Sequence, residues 1–247
     1  MRIAAVQFKA RKGDWAASLD AARPLVRDAT EGADLVVLPE MALTGYVFDS
    51  REAAAAVAES ADGPTYAALA PLAAAAGCWL VAGFPERDGD RLFNSALVIA
   101  PDGALAFTYR KTLLYDADEV WATPGDSGYR VFETGAGTFA VGICMDLNDD
   151  AFLDWCDVAA PRAIAFPTNW IDEGLDIWRY WAGRAAPTGA AIIAADTWGS
   201  EGTTQFWGRS AIIDSPSAKG EPCILHAAAG PTGDAVIRAT LPWRERG

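Results

Sequence analysis

The stretch that most constrains this chain is Val141-Gly142-Ile143-Cys144-Met145-Asp146-Leu147-Asn148, an apolar run that meets a cysteine and at once turns polar. Such a run reads as a strand, so the thiol stands at a strand-to-turn junction where a ligand can reach it. The glycine two residues earlier permits a tight backbone elbow, and elbows at the carboxyl edge of a sheet expose nucleophiles. A buried structural cysteine has the same local signature, because free Cys is among the most buried residue types. The rest of the sequence has to separate the two.

Two other segments share the form of an apolar strand ending in one ionisable residue: Ala33 to Glu40, which closes on Leu38-Pro39-Glu40, and Ala104 to Lys111, which closes on Tyr109-Arg110-Lys111. The chain has 16 Arg but only four Lys, so a lysine beside an apolar run suggests a need for a compact point charge that Arg cannot supply. A glutamate, a lysine and a cysteine, each at a strand end, make a base, an oxyanion stabiliser and a nucleophile. The single histidine, His226, falls in a late strand-like run and reads as structural. Carboxylates are abundant by comparison, which favours Glu40 as the base.

Composition limits the setting. A length of 247 residues with 51% hydrophobic content suits one domain over residues 1–247 with a sizeable core. No early segment has the form of a targeting peptide and no run approaches the roughly 20 apolar residues of a membrane span, so a soluble cytoplasmic protein is expected. A net charge of -13 disfavours nucleic acid and anionic membrane as partners, since both attract basic patches. Cys78, Cys144, Cys156 and Cys223 form no C-x-x-C pair. Reduced thiols are therefore expected, with no zinc site, redox motif or cofactor.

Along the chain, residues 2–8 alternate as a strand, and Asp14 caps a helix whose Trp15, Leu19, Ala22, Val26 and Ala29 follow helical spacing up to Gly32. A strand at 34–38, a helix near 51–60, a helix from Asp62-Gly63-Pro64 to Gly77 and a strand at 78–84 complete an α/β opening. Pro101-Asp102-Gly103 and Thr134-Gly135-Ala136-Gly137 each join two strand-like runs as hairpins, which makes the sheet mixed. A short acidic helix at 149–157, a strand at 163–167, a helix at 175–186 and a strand at 190–195 follow. A last pair of strands is expected around Pro216 to Gly220. The aromatics Trp178, Tyr180 and Trp181 on the 175–186 helix suit either the core or a subunit interface.

Leu38-Pro39-Glu40, Tyr109-Arg110-Lys111, Gly142-Ile143-Cys144-Met145-Asp146 and the later Phe206-Trp207-Gly208-Arg209-Ser210-Ala211-Ile212-Ile213 together resemble the nitrilase superfamily of carbon-nitrogen hydrolases. Leu43-Thr44-Gly45-Tyr46, Asp118-Glu119-Val120-Trp121 and the run from Gly142 to Asn148 are most similar to its protein amino-terminal amidase branch. The resemblance implies a four-layer αββα sandwich of two mixed sheets, which commonly pairs into a homodimer. It also implies a cofactor-free Glu40, Lys111, Cys144 triad acting on a small-molecule amide through a thioester, with release of ammonia. N-carbamoyl amino acids are the alternative substrate, and a non-catalytic binding protein on the same fold is the third reading.

The resemblance carries further roles. Glu119 matches a second glutamate that orients the lysine and substrate; its other reading is a surface carboxylate. Met145 supplies a backbone N–H for the oxyanion, Asn169 and Trp170 match a pocket-lining segment, and Trp121 and Trp198 are wall candidates. Many relatives carry Arg-Ala-x-Glu-Asn where this chain has Arg184-Ala185-Ala186-Pro187-Thr188. Carbamoyl hydrolases of the family place arginines where Leu147 and Asn148 stand here. Asp146 is expected to fix the elbow. Asp149, Asp150, Asp154 and Asp157 either give the pocket an acidic rim, which favours neutral or amino-bearing amides, or lie on a solvated helix facing away.

Overall fold

The computed structural model describes residues 1–214 and 223–242. In chain order its first elements are β1 (Arg2–Gln7), α1 (Trp15–Thr30), β2 (Leu35–Val37), α2 (Arg51–Val57), α3 (Pro64–Ala76), β3 (Trp79–Asp88), β4 (Arg91–Ile99), β5 (Leu105–Arg110) and α4 (Asp116–Glu119). After them come β6 (Val131–Thr134), β7 (Gly137–Val141), α5 (Asp150–Ala159), β8 (Ala163–Thr168), α6 (Ile177–Ala185) and β9 (Ala191–Asp196). The last are β10 (Trp198–Glu201), β11 (Thr204–Trp207), β12 (Ala211–Asp214), β13 (Ile224–Ala228) and β14 (Ala235–Thr240).

Two six-stranded mixed sheets result, ordered β14-β1-β2-β3-β4-β5 and β13-β12-β9-β8-β7-β6. Each has a parallel central trio, β1-β2-β3 in one and β7-β8-β9 in the other, with antiparallel strands outside it. Strand alternation explains how the layers stack. On the first sheet Ile3, Ala5, Leu35, Val37, Val81, Ala96 and Val98 join the core shared with the second sheet. The residues between them, Ala4, Val6, Val36, Leu80, Ala82 and Leu97, pack with Leu19, Val26, Leu69 and Ala73 of α1 and α3. On the second sheet Phe139 stacks on Phe132, which meets Trp79 of the first sheet, while Ile164 and Phe166 face the other way, toward Phe152 of α5 and Trp181 of α6. The architecture is the αββα sandwich, with a helical layer outside each sheet.

Local signals account for most boundaries. Asp14 caps α1, accepting the Ala17 N–H at 2.9 Å, and Gly77 ends α3 in the left-handed conformation. Three parts were not anticipated: the β10-β11 hairpin, the helical turn α4, and β14, which returns to pair with β1. The expected last strand pair is present as β12 and β13, but Pro216 to Gly220 lie outside the described residues. Among the described residues no helix is long and apolar enough to cross a membrane.

Candidate active site

The carboxyl ends of β2, β5, β7 and β8 converge, and each delivers one buried polar residue. Glu40 follows β2 where Leu38 N–H bonds the Val81 carbonyl and Gly83 N–H bonds the Pro39 carbonyl. Gly83 is required there, because a Cβ on it would lie 2.5 Å from the Glu40 Cα. Lys111 leaves β5 with its N–H on the Asn94 carbonyl. Its Nζ donates to Glu40 Oε1 at 2.9 Å and to Asp118 Oδ2 at 2.6 Å, and all three side chains are fully buried. Asn94 Nδ2 ties the carboxylates together, donating to Glu40 Oε1 at 2.6 Å and to Asp118 Oδ1 at 3.0 Å.

Asp118, not Glu119, is the second acid beside the lysine. It is the third residue of α4, where its carboxylate also accepts the Tyr115 N–H at 3.0 Å. That register turns Glu119, the next residue, out to solvent. The tight turn therefore corrects the Glu119 assignment by one position.

Cys144 stands at the elbow with φ of +44°, a left-handed conformation that costs a non-glycine residue of order 1–3 kcal/mol and persists only where its surroundings enforce it. The enforcement comes from Asp146. Its carboxylate accepts the Ile143 N–H at 2.9 Å and the Tyr109 hydroxyl at 2.8 Å, and on its other oxygen the Thr112 and Leu113 N–H groups at 2.9 and 3.0 Å. One buried side chain thus locks the cysteine turn to the segment after Lys111. Gly142 has a different job from the one expected. The positive φ belongs to Cys144, and Gly142 makes room for the Phe152 ring, whose Cζ would lie 2.7 Å from an added Cβ.

The site holds one cation between two buried carboxylates. Burial pushes Glu40 above the ordinary carboxylate range even though Lys111 pulls the other way. Burial also works to strip Lys111 of its proton, but Asp118 and then Glu40 outweigh it and hold the ammonium well above its usual value. The Cys144 thiol is pushed far up by burial and then by the Glu40 charge, with Lys111 opposing. At rest the proton is on sulfur, and Glu40 is the nearby group with raised basicity. Among the described residues no group of three or more His, Cys, Asp or Glu is arranged to hold a metal ion.

Cys144 opens into a cavity of about 270 Å³ whose wall includes Tyr46, Met145, Asn148, Asn169, Trp170 and Tyr180. Asn169 grips Glu40 twice, its N–H donating to Oε2 at 2.9 Å and its Nδ2 to the Glu40 carbonyl at 2.8 Å. Trp170 is held from behind, with its N–H on Asp196 Oδ1 at 3.0 Å and its carbonyl accepting the Trp207 N–H at 2.7 Å. Trp181 is core, packed against Phe166, Trp170 and Trp207. Trp121 is not a wall residue. It is buried in a separate cluster, 5.4 Å from the Phe48 ring, because α4 turns it behind Tyr46. Trp198 lies outside the cavity too, its Nε1 on Asp234.

The acids after the nucleophile also face elsewhere. Asp149 caps α5, Asp150 pairs with Arg184 at 2.7 Å, and Asp154 and Asp157 lie exposed on α5. Arg184 further donates to the Leu147 carbonyl at 3.0 Å, and Pro187 sits in a short 3-10 turn closing α6. The acid that does reach the cavity is Glu173, and among the described residues no Lys or Arg lines it. The sequence reading missed Asp118, Asn94, Glu173 and Tyr46. Asn94 had a signal, being polar within the apolar run Leu92 to Ile99.

Comparison with known proteins gives the family and the fold. The carbon-nitrogen hydrolase family model matches residues 2–217. A nitrilase from Pyrococcus abyssi is 34% identical over 226 residues, covering 89% of this chain and 83% of its own length. A protein N-terminal amidase from Schizosaccharomyces pombe is 26% identical over 273 aligned positions, covering 92% and 94%. A solved N-terminal amidase with an Asn-Glu-Ala peptide superposes with a TM-score of 0.85 at 17% identity, covering 98% of this chain and 99% of that one. The chain belongs to the carbon-nitrogen hydrolase family.

Proposed function

We propose that this protein is an amidohydrolase that cleaves the C–N bond of a small linear amide through a thioester on Cys144. The Cys144 proton passes to Glu40 as sulfur attacks the carbonyl carbon, and the carbonyl electron pair moves to oxygen. Lys111 uses two of its N–H bonds on Glu40 and Asp118, which leaves a third for that oxyanion beside the backbone N–H of Met145. When the tetrahedral centre collapses, the leaving nitrogen takes the proton from Glu40 and departs as ammonia. Glu40 then takes a proton from water as the water attacks the thioester, and the returned thiol and a carboxylic acid complete the cycle.

The observation that carries this reading is the buried Lys111 bridging Glu40 and Asp118 beside a cysteine held at positive φ. Such an arrangement costs stability and is of no use to a passive core. A cavity of about 270 Å³ suits a small substrate. With Glu173 on its wall and no Lys or Arg there among the described residues, it favours neutral or amino-bearing amides, including amino acid amides and amino-terminal Asn or Gln, over N-carbamoyl acids, whose carboxylate meets no counter-ion among those residues. The test is ammonia release from matched amides, nitriles and carbamoyl compounds by wild type and Cys144→Ala. Release from amides that disappears in a Cys144→Ala protein of unchanged circular dichroism is expected. Undiminished release by that variant removes Cys144 from the chemistry, and preference for the carbamoyl acid replaces the substrate class.

A further inference from the structure

Thr168 closes β8, one strand away from the nucleophile. β7 and β8 run parallel with Phe139 opposite Ala163, Ala140 opposite Ile164 and Val141 opposite Ala165. Gly142 N–H still donates to the Ala165 carbonyl at 3.2 Å. Carried on by three residues, that register sets Thr168 abreast of Cys144 at the two carboxyl ends. The Thr168 side chain is fully buried, and among the described residues its hydroxyl makes no well-formed hydrogen bond in the resting site, although it lies within reach of the Cys144 thiol. Its neighbour is the thiol, on which the hydroxyl acts in the direction that favours thiolate.

A buried hydroxyl left unpaired costs about 1–3 kcal/mol, and valine would fill the same space without that cost. The cost is recovered once the sulfur becomes an anion, because charge-assisted hydrogen bonds are roughly twice as strong as neutral ones. We propose that the Thr168 hydroxyl is a catalytic donor to Cys144 Sγ, idle against the thiol and engaged when the S–H proton has moved to Glu40. The bond is made a second time when the thioester breaks and the sulfur leaves as thiolate. Lys111 serves the oxyanion, so the two transient negative charges have separate donors.

This role rests on Cys144 as the nucleophile but does not depend on which amide is cleaved. Thr168→Val and Thr168→Ser separate the hydroxyl from the methyl groups. The rate of Cys144 carbamidomethylation by iodoacetamide at fixed pH, read by mass on the peptide that carries Cys144, is expected to fall about tenfold in Thr168→Val. In the same protein kcat for amide hydrolysis falls by a similar factor with KM unchanged, the thermal midpoint does not drop, and Thr168→Ser recovers both rates. If Thr168→Val does not fold, Thr168→Ala against Thr168→Ser makes the same comparison. An alkylation rate in Thr168→Val equal to wild type overturns the proposal. An alkylation loss in a protein that hydrolyses no amide leaves Thr168 in place and instead removes the proposed function.

Discussion

Arg110 and Lys111 are neighbours at the end of β5, and both are surrounded by carboxylates, but their clusters are built on different terms. Arg110 lies near the surface. Its guanidinium spans Glu86 with contacts of 2.6 and 2.9 Å, reaches Asp126 and Asp88 at 2.8 Å each, and stacks 3.9 Å over the Phe93 ring. Hydrogen bonds from Arg110 and Arg91 hold the Asp126 carboxyl down to about 2. The planar fork places four of its N–H bonds on three carboxylates and is partly wetted, which is what a structural clamp requires. Lys111 has no access to water, only two acids, and a donor to spare. A partly wetted cation spread over three carboxylates stabilises, whereas a fully buried one with an unused donor is poised to respond when new charge appears.

The sharpest way to break that contrast is Lys111→Arg, which keeps the charge but puts a planar fork where a point donor is needed. A loss of at least about 100-fold in kcat/KM is expected, in line with removal of one oxyanion donor. Circular dichroism checks that the fold persists. Activity near wild type would show that the site needs only a cation there.

Next in size is the paired test of the neighbouring acids. Asp118→Asn removes one of the two anions that hold Lys111 charged and in place, and about a 10- to 100-fold loss in kcat is expected. Glu119→Gln, at an exposed position, should stay within about twofold of wild type. The reverse ranking, measured on the same amide, would put Glu119 back in the site and make the geometry of α4 misleading.

The surface clamp should behave in the opposite sense. Arg110→Lys replaces the fork over Glu86, Asp88 and Asp126 by a single ammonium, and a stability loss of about 1–2 kcal/mol in urea is expected, with kcat of the folded enzyme unchanged. A large fall in kcat with little change in stability would show that Arg110 and Lys111 act as one network and not two.

These outcomes bear on how much of the molecule was legible in the sequence. The α/β order with its hairpins was legible, because strands buried on both faces read as apolar runs, whereas the αββα layers came only through the family resemblance; Glu40, Lys111 and Cys144 stood out because each run ended on one reactive group. Asp118 was not, since choosing between adjacent acids needs the register of a four-residue helix whose N-cap is Tyr115 and not Ser, Thr, Asp or Asn. Trp121 was misplaced for the same reason. For the acids after Asp146 two orientations stayed open, because the sequence shows their number but not which side of α5 faces out; Asp154 and Asp157 lie in solvent and Asp150 pairs with Arg184. The β14 strand escaped notice because its partner, β1, lies at the far end of the chain, and pairing across that separation leaves no local signal.

The smallest expected effect lies at a third kind of acid, one with no cation at all. Asp196 ends β9 fully buried, its Oδ1 accepting the Trp170 N–H and its Oδ2 without a partner. Burial raises its pKa well above the usual carboxylate value, against the N–H bonds of Trp170 and Thr197 and with the Glu40 charge adding to the rise. The folded protein therefore keeps this proton over a range where the unfolded chain, near pKa 3.9, has lost it. Its contribution to stability is full below about pH 4 and is lost as pH climbs toward the folded pKa. Asparagine keeps the acceptor for Trp170 and does not titrate. Asp196→Asn should match wild type in thermal midpoint near pH 3.5 and exceed it by a few degrees at pH 7, with kcat little changed. A gap that stays constant across that range, or one that favours wild type at pH 7, would mean that Asp196 is ionised in the fold.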